Sequence, residues 1–169
     1  MQNWYHTPGG VPVLRTVPDH SSGRPPILFI HENRGLSAYI MAVLDDLSAE
    51  GFETHAPDLL HRMEPGYDPS TVTTRQIPED THERDLLDVF DHMTAAPVLV
   101  GLCFGAEMGW RVAVKRRPVA AALVYGVAPP DMSGLACPVF AAYAENDDRV
   151  NQGLARLCRQ LSASTVDYR

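Results

Sequence analysis

The stretch Val98-Leu99-Val100-Gly101-Leu102-Cys103-Phe104-Gly105 carries the most information in the chain. A short apolar run enters a Gly-x-Cys-x-Gly turn, and residues 104 to 117 then read as a helix. A sharp strand-to-helix turn strains the backbone of its central residue, so the flanking side chains must be tiny. The turn lifts the Cys103 sulfur above a sheet and aims it at a helix N-terminus, whose amides and dipole favour the reactive thiolate. The Phe104 amide is placed to donate to an oxyanion. Gly105, Gly109 and Ala113 form a small-residue stripe that lets the helix lie close to the sheet. With three cysteines and twelve glycines in 169 residues, chance supplies about 0.015 such turns. The bland alternative is a buried cysteine acting as a small hydrophobe.

Outward from that turn the pattern repeats. Ile27-Leu28-Phe29-Ile30 is wholly apolar, as expected of a strand buried on both faces. Ile40, Val43, Leu44 and Leu47 recur at helical spacing, and Gly51 ends that helix. Phe52 to Ala56 reads as a second inner strand. Leu86, Leu87, Phe90 and Met93 mark another helix. Val119 to Tyr125 and Val139 to Tyr143 are further inner strands, and Leu154, Leu157, Cys158 and Leu161 one more helical face. Thr165 to Arg169 reads as the start of a strand. Val11 to Val17, which contains Pro12, is expected at a sheet edge. Residues 58 to 80, with Pro65, Gly66, Pro69 and Pro78, read as a long irregular loop of the kind that is usually functional or mobile. Alternating strands and helices imply one α/β domain over residues 1–169, a mostly parallel sheet with helices on both faces. Such sheets do their chemistry at the carboxyl ends of the strands.

Composition narrows the class. Apolar residues are 45% and charged residues 21%, with a net charge of -7. So acidic a protein is poorly suited to nucleic acid or to an anionic membrane surface. No apolar run reaches bilayer length. Three scattered cysteines, Cys103, Cys137 and Cys158, do not form a disulfide framework or a zinc motif. A reducing cytoplasm is the expected compartment. Cys137 and Cys158 are expected in the core. The sequence specifies no oligomeric state.

Ala144-Glu145-Asn146-Asp147-Asp148-Arg149 follows an inner strand. A catalytic triad needs a carboxylate there to orient a histidine. Asp147 is the first choice, with Asp148 and Glu145 as neighbours that could serve. In α/β-hydrolase order the histidine follows the acid. The seven histidines, at 6, 20, 31, 55, 61, 82 and 92, all precede Asp147. His31 ends an inner strand and is expected to be a packed, hydrogen-bonded residue.

Four motifs together resemble the dienelactone hydrolase family of α/β-hydrolases: Ile30-His31-Glu32-Asn33-Arg34-Gly35-Leu36, Ala56-Pro57-Asp58-Leu59, Gly101-Leu102-Cys103-Phe104-Gly105-Ala106 and Ala144-Glu145-Asn146-Asp147. The resemblance runs from about Val13 to Arg169. It implies Cys103 as nucleophile, Asp147 as triad acid and Glu32 as the glutamate that helps generate the thiolate. It implies an oxyanion hole from the amides of Asn33 and Phe104. Arginines hold a substrate carboxylate in the family, and Arg75 and Arg62 are the candidates. The implied activity is hydrolysis of a small-molecule ester or lactone, with no metal or organic cofactor. Family members continue past this point through the C-terminal strand end, a histidine loop and a terminal helix. The expectation is therefore a histidine supplied beyond residue 169. The alternative is a non-catalytic α/β-hydrolase-like domain that binds a ligand or protein.

Overall fold

A computed structural model describes residues 1–20, 23–64 and 71–169. Pro65, Gly66 and Pro69 of the expected loop lie outside them. The elements, in chain order, are β1 (Gln2–His6), β2 (Pro12–Thr16), β3 (Ile27–Ile30), α1 (Ala38–Ala49), β4 (Thr54–Pro57), a 3-10 turn (Thr74–Gln76), α2 (Glu79–His92), β5 (Val98–Leu102), α3 (Phe104–Lys115), β6 (Ala120–Val124), β7 (Val139–Ala142), α4 (Asp148–Asn151) and α5 (Leu154–Ser162). The strands form one sheet in the order β1-β2-β4-β3-β5-β6-β7. β1, β2 and β4 pair antiparallel, and all pairs from β4 to β7 are parallel.

The apolar runs become the inner strands because parallel strands are covered on both faces. Every residue of β3 is buried. Its alternation divides two cores. Leu28 and Ile30 join Leu99, Leu123, Phe104, Trp110, Leu86 and Leu157 on the face of α2, α3 and α5. Ile27 and Phe29 join Leu14, Ala56, Ile40 and Leu44 under α1. Helices thus cover both faces, as the alternating pattern implied. Burying each such side chain contributes roughly 1.5–3 kcal/mol. Ion pairs join α2 to α3 along their length: Glu79 to Arg111 at 2.5 Å, Glu83 to Lys115, and Asp91 to Arg116 at 2.6 Å.

Three expectations need correction. Val11 to Val17 does not lie at the edge, because β1 pairs outside β2 along its whole length. Pro12 is tolerated as the first residue of its strand. β1 was invisible because Gln2-Asn3-Trp4-Tyr5-His6 is polar and exposed apart from half-buried Tyr5, as suits a protected edge. Cys158 is exposed, not core. It sits roughly 100° round the helix from buried Leu157, at the flank of the Leu154–Leu157–Leu161 seam. Cys137 is buried as expected, and burial pushes its thiol up to about 11. Thr165 to Arg169 forms only one bridge, Tyr168 to Val139. Around it, Val139 donates to Asp167 at 2.9 Å and Arg169 donates to Val139 at 3.0 Å, extending the sheet beside β7.

Candidate active site

Leu102 ends β5 and Phe104 opens α3, so Cys103 alone makes the corner. Its φ of 53° and ψ of -113° are costly for any residue but glycine. The turn is locked from both sides. The Cys103 amide donates to Val124 O at 2.9 Å, and its carbonyl accepts from the amides of Ala106 and Glu107. The glycines are there for contact, not freedom. A Cβ on Gly101 would stand 2.4 Å from Gly105 O, and one on Gly105 only 2.0 Å from Ile30 O. Gly109 continues the close approach, with a Cβ there 2.4 Å from Leu123. Tyr125, just past β6, is the other non-glycine residue with positive φ among the described residues, at 64°.

Cys103 is partly exposed and lines a cavity of about 430 Å³ with Asn33, Arg75, Phe104, Glu107 and Arg149. Two of the predicted residues thus meet Cys103 from the start of α3 and the end of β3, and a third, Arg75, from the irregular segment. The 3-10 turn holds Arg75 in place. Its guanidinium donates to Glu107 at 2.8 Å, approaches Glu79 at 3.5 Å and lies 5.5 Å over the Phe104 ring. Arg62 is elsewhere, forked onto Asp85 at 2.9 and 2.5 Å and absent from the cavity wall.

The carboxylates are less converged. Asp147 caps α4, accepting from Val150 N at 2.9 Å, and its other oxygen accepts from the Tyr125 hydroxyl. Asp148 and Glu145 are exposed. Glu32 turns back on its own loop, accepting from the Arg34 amide at 2.9 Å. Neither Asp147 nor Glu32 lines the cavity wall around Cys103.

Sequence reasoning missed Glu107, Arg149 and Tyr125. Glu107 was within reach of it, since a residue four after Cys103 in a helix shares its face. Arg149 stood in the quoted acidic loop, but nothing in its spacing distinguished it from a solvated charge. Among the described residues no carboxylate pairs with Arg149, whereas Arg75 meets two.

His31 behaves as the packed residue expected. It is fully buried, donating from Nδ1 to Glu32 O at 2.6 Å and accepting at Nε2 from the Leu59 amide at 3.1 Å. Both nitrogens of the neutral ring are used. Burial pushes its pKa below the usual histidine range, and burial does the same to His82 and His55. The unfolded chain therefore binds more protons than the folded one. Stability contributed by these three neutral rings is complete above the unfolded value of 6.5 and is lost as pH falls below it. Urea melts should show a lower midpoint at pH 5.5 than at pH 7.5. An equal or higher midpoint at pH 5.5 contradicts this assignment.

The dienelactone hydrolase family model matches residues 12–169. No curated protein matches the chain. Among solved structures, a dienelactone hydrolase-like promiscuous phosphotriesterase from metagenomic libraries superposes with TM-score 0.76 at 19% identity, over all of this chain and 79% of that one. TT1662 from Thermus thermophilus does so at 0.69 and 16%, over 99% and 87%. The esterase domain of a Rhodothermus marinus protein gives 0.65 and 13%, over 100% and 85%. At these identities the structural likeness speaks for the fold alone, while the family model spans nearly the whole sequence. The chain belongs to the dienelactone hydrolase family, a hydrolase family of α/β-hydrolase fold.

Proposed function

We propose that this hydrolase acts on small carboxylic esters or lactones through Cys103. The thiolate sulfur adds to the carbonyl carbon, and the oxyanion is held by the amides of Asn33 and Phe104. As it collapses, the acyl C–O bond breaks and the alkoxide or enolate leaves, taking a proton from solvent. Water then adds to the thioester and gives one proton back to solvent, the C–S bond breaks, and the acid and thiolate are released. Glu32 would assist thiolate formation and Asp147 would serve as triad acid. One observation carries the reading: the positive-φ corner that lifts Cys103 into the cavity wall beside two candidate oxyanion donors. The first turn of a helix leaves its amides without intrahelical partners, which suits the Phe104 amide to this work. All three thiols are free, which fits a reducing cytoplasm.

The rival reading, a non-catalytic ligand- or protein-binding domain, is favoured by a different observation. No histidine is among the described residues lining the cavity. The readings part on acylation, which needs only the thiolate and the oxyanion donors. Mixing the protein with 4-nitrophenyl acetate and mapping the acetyl adduct by peptide mass spectrometry should place it on Cys103. No adduct, or one confined to exposed Cys158, contradicts the hydrolase mechanism and supports the rival.

For substrates that carry a carboxylate, Arg149 and Arg75 are the proposed anchors. Arg149, which pairs with no carboxylate among the described residues, should matter more, because Arg75 is already balanced by Glu107 and Glu79. Arg149→Ala should raise KM for a carboxylate-bearing enol lactone about tenfold, the worth of roughly 1.4 kcal/mol of charge-assisted contact. It should leave neutral aryl acetates nearly unaffected, and Arg62→Ala should change neither. Equal effects on both substrate types remove Arg149 from the site.

A further inference from the structure

Behind the cavity wall lies a buried hydrogen-bonded chain that the chemistry above does not use. His82, on α2, is fully buried, and its Nε2 lies 2.9 Å from Thr74 O. A carbonyl only accepts, so Nε2 carries the proton and Nδ1 is bare. Nδ1 is buried with no partner among the described residues. A buried polar atom left bare is a cost, and a leucine there would avoid it. What the imidazole supplies in return is the Nε2–H.

Thr74 is itself fully buried and grips Asn33 twice. Its amide donates to Asn33 O at 3.1 Å, and its hydroxyl donates to Asn33 Oδ1 at 2.7 Å. The His82 ring also stands edge-on to the Phe104 ring, with centroids 5.0 Å apart. One imidazole therefore backs both residues proposed as oxyanion donors, Asn33 through Thr74 and Phe104 by ring contact.

We propose that His82 and Thr74 are positioning residues, a buried relay that sets the Asn33 amide against the Phe104 amide for the oxyanion. The inference rests on the oxyanion reading given above. Small displacements at such donors cost rate without weakening ground-state binding, because the oxyanion exists only in the transition state.

The test uses paired variants. Thr74→Val keeps shape and loses the hydroxyl donor, whereas Thr74→Ser keeps it. His82→Phe keeps a ring and loses the N–H, whereas His82→Gln restores an amide N–H at similar reach. Thr74→Val and His82→Phe should each slow the acylation burst with 4-nitrophenyl acetate about tenfold, while apparent substrate affinity stays within about twofold. The Ser and Gln variants should recover most of the rate. The Thr74→Val/His82→Phe double variant should be no slower than the slower single, since both break one chain. The Asn33 amide resonance should move in Thr74→Val and His82→Phe and return in Thr74→Ser and His82→Gln.

Wild-type burst rates in the Val and Phe variants, multiplied losses in the double variant, or a stationary Asn33 resonance each overturn the relay. Where one of the two disruptive variants does not fold, the other is scored alone. A wild-type protein that gives no Cys103 adduct defeats the hydrolase reading instead, and the Asn33 resonance then decides the relay by itself.

Discussion

Gly105→Ala should destabilise the protein by about 3–5 kcal/mol, a large share of the roughly 5–15 kcal/mol that holds a typical domain together. The added Cβ would stand 2.0 Å from Ile30 O and 2.6 Å from His31 O. Both are backbone atoms of the strand end that carries Glu32 and Asn33, so no side chain can swing aside. α3 would have to retreat from β3, opening the core around Ile30, Phe104 and Trp110. Gly10→Ala is the control. Gly10 has a positive φ of 84° but nothing within 4 Å of its added Cβ, so only the backbone strain of about 1–2 kcal/mol applies. Urea melts of both variants settle the matter. If Gly105→Ala loses no more than Gly10→Ala, the close approach of α3 to β3 is not what glycine serves at 105.

That contact also explains what could be read in advance. β3 and β5 were legible because a strand covered on both faces must be apolar throughout, and Ile27 to Ile30 is. The corner at Cys103 was legible because its glycines answer a steric demand that acts within a few residues. β1 was not, since its residues bury little and its pairing with β2 depends on the turn at Thr7–Val11, where Val11 N donates to Thr7 Oγ1 at 3.1 Å. The site divides the same way. Cys103, Phe104 and Asn33 follow from strand ends and a helix start, which are local. Arg75 reaches the cavity because Thr74 is clamped to Asn33, forty-one residues away, and backed by His82. Nothing in the run from Thr71 to Pro78 announces that clamp. Arg149 and Glu107 share a cavity wall with Cys103 because β6, β7 and α3 converge, and Gly126 is what lets the chain after β6 cross the start of α3, with its Cβ position 2.4 Å from Glu107 N. Glu32 was named by motif, and its carboxylate accepts from the Arg34 amide two residues on, a local bond that the motif does not announce.

Cys103→Ala should reduce the acylation burst with 4-nitrophenyl acetate by at least about 1,000-fold. The adduct cannot form without the sulfur, and what is left is the residual rate from binding and the oxyanion donors. Cys103→Ser should fall between, because a hydroxyl is scarcely ionised near neutral pH and needs a base that a thiol largely does without. The two remaining thiols make the prediction specific. Cys137 is buried and its thiol is pushed up to about 11, so it supplies almost no thiolate at neutral pH. Cys158 is exposed on α5 and is open to any alkylating reagent, but it does not line the cavity that Cys103 shares with Asn33 and Phe104. Cys158→Ala should therefore remove slow chemical labelling and leave the burst intact. A burst that survives Cys103→Ala and disappears in Cys158→Ala would mean that acyl transfer here is the chemistry of a surface thiol, and that the strained corner at residue 103 serves some purpose other than nucleophilic attack.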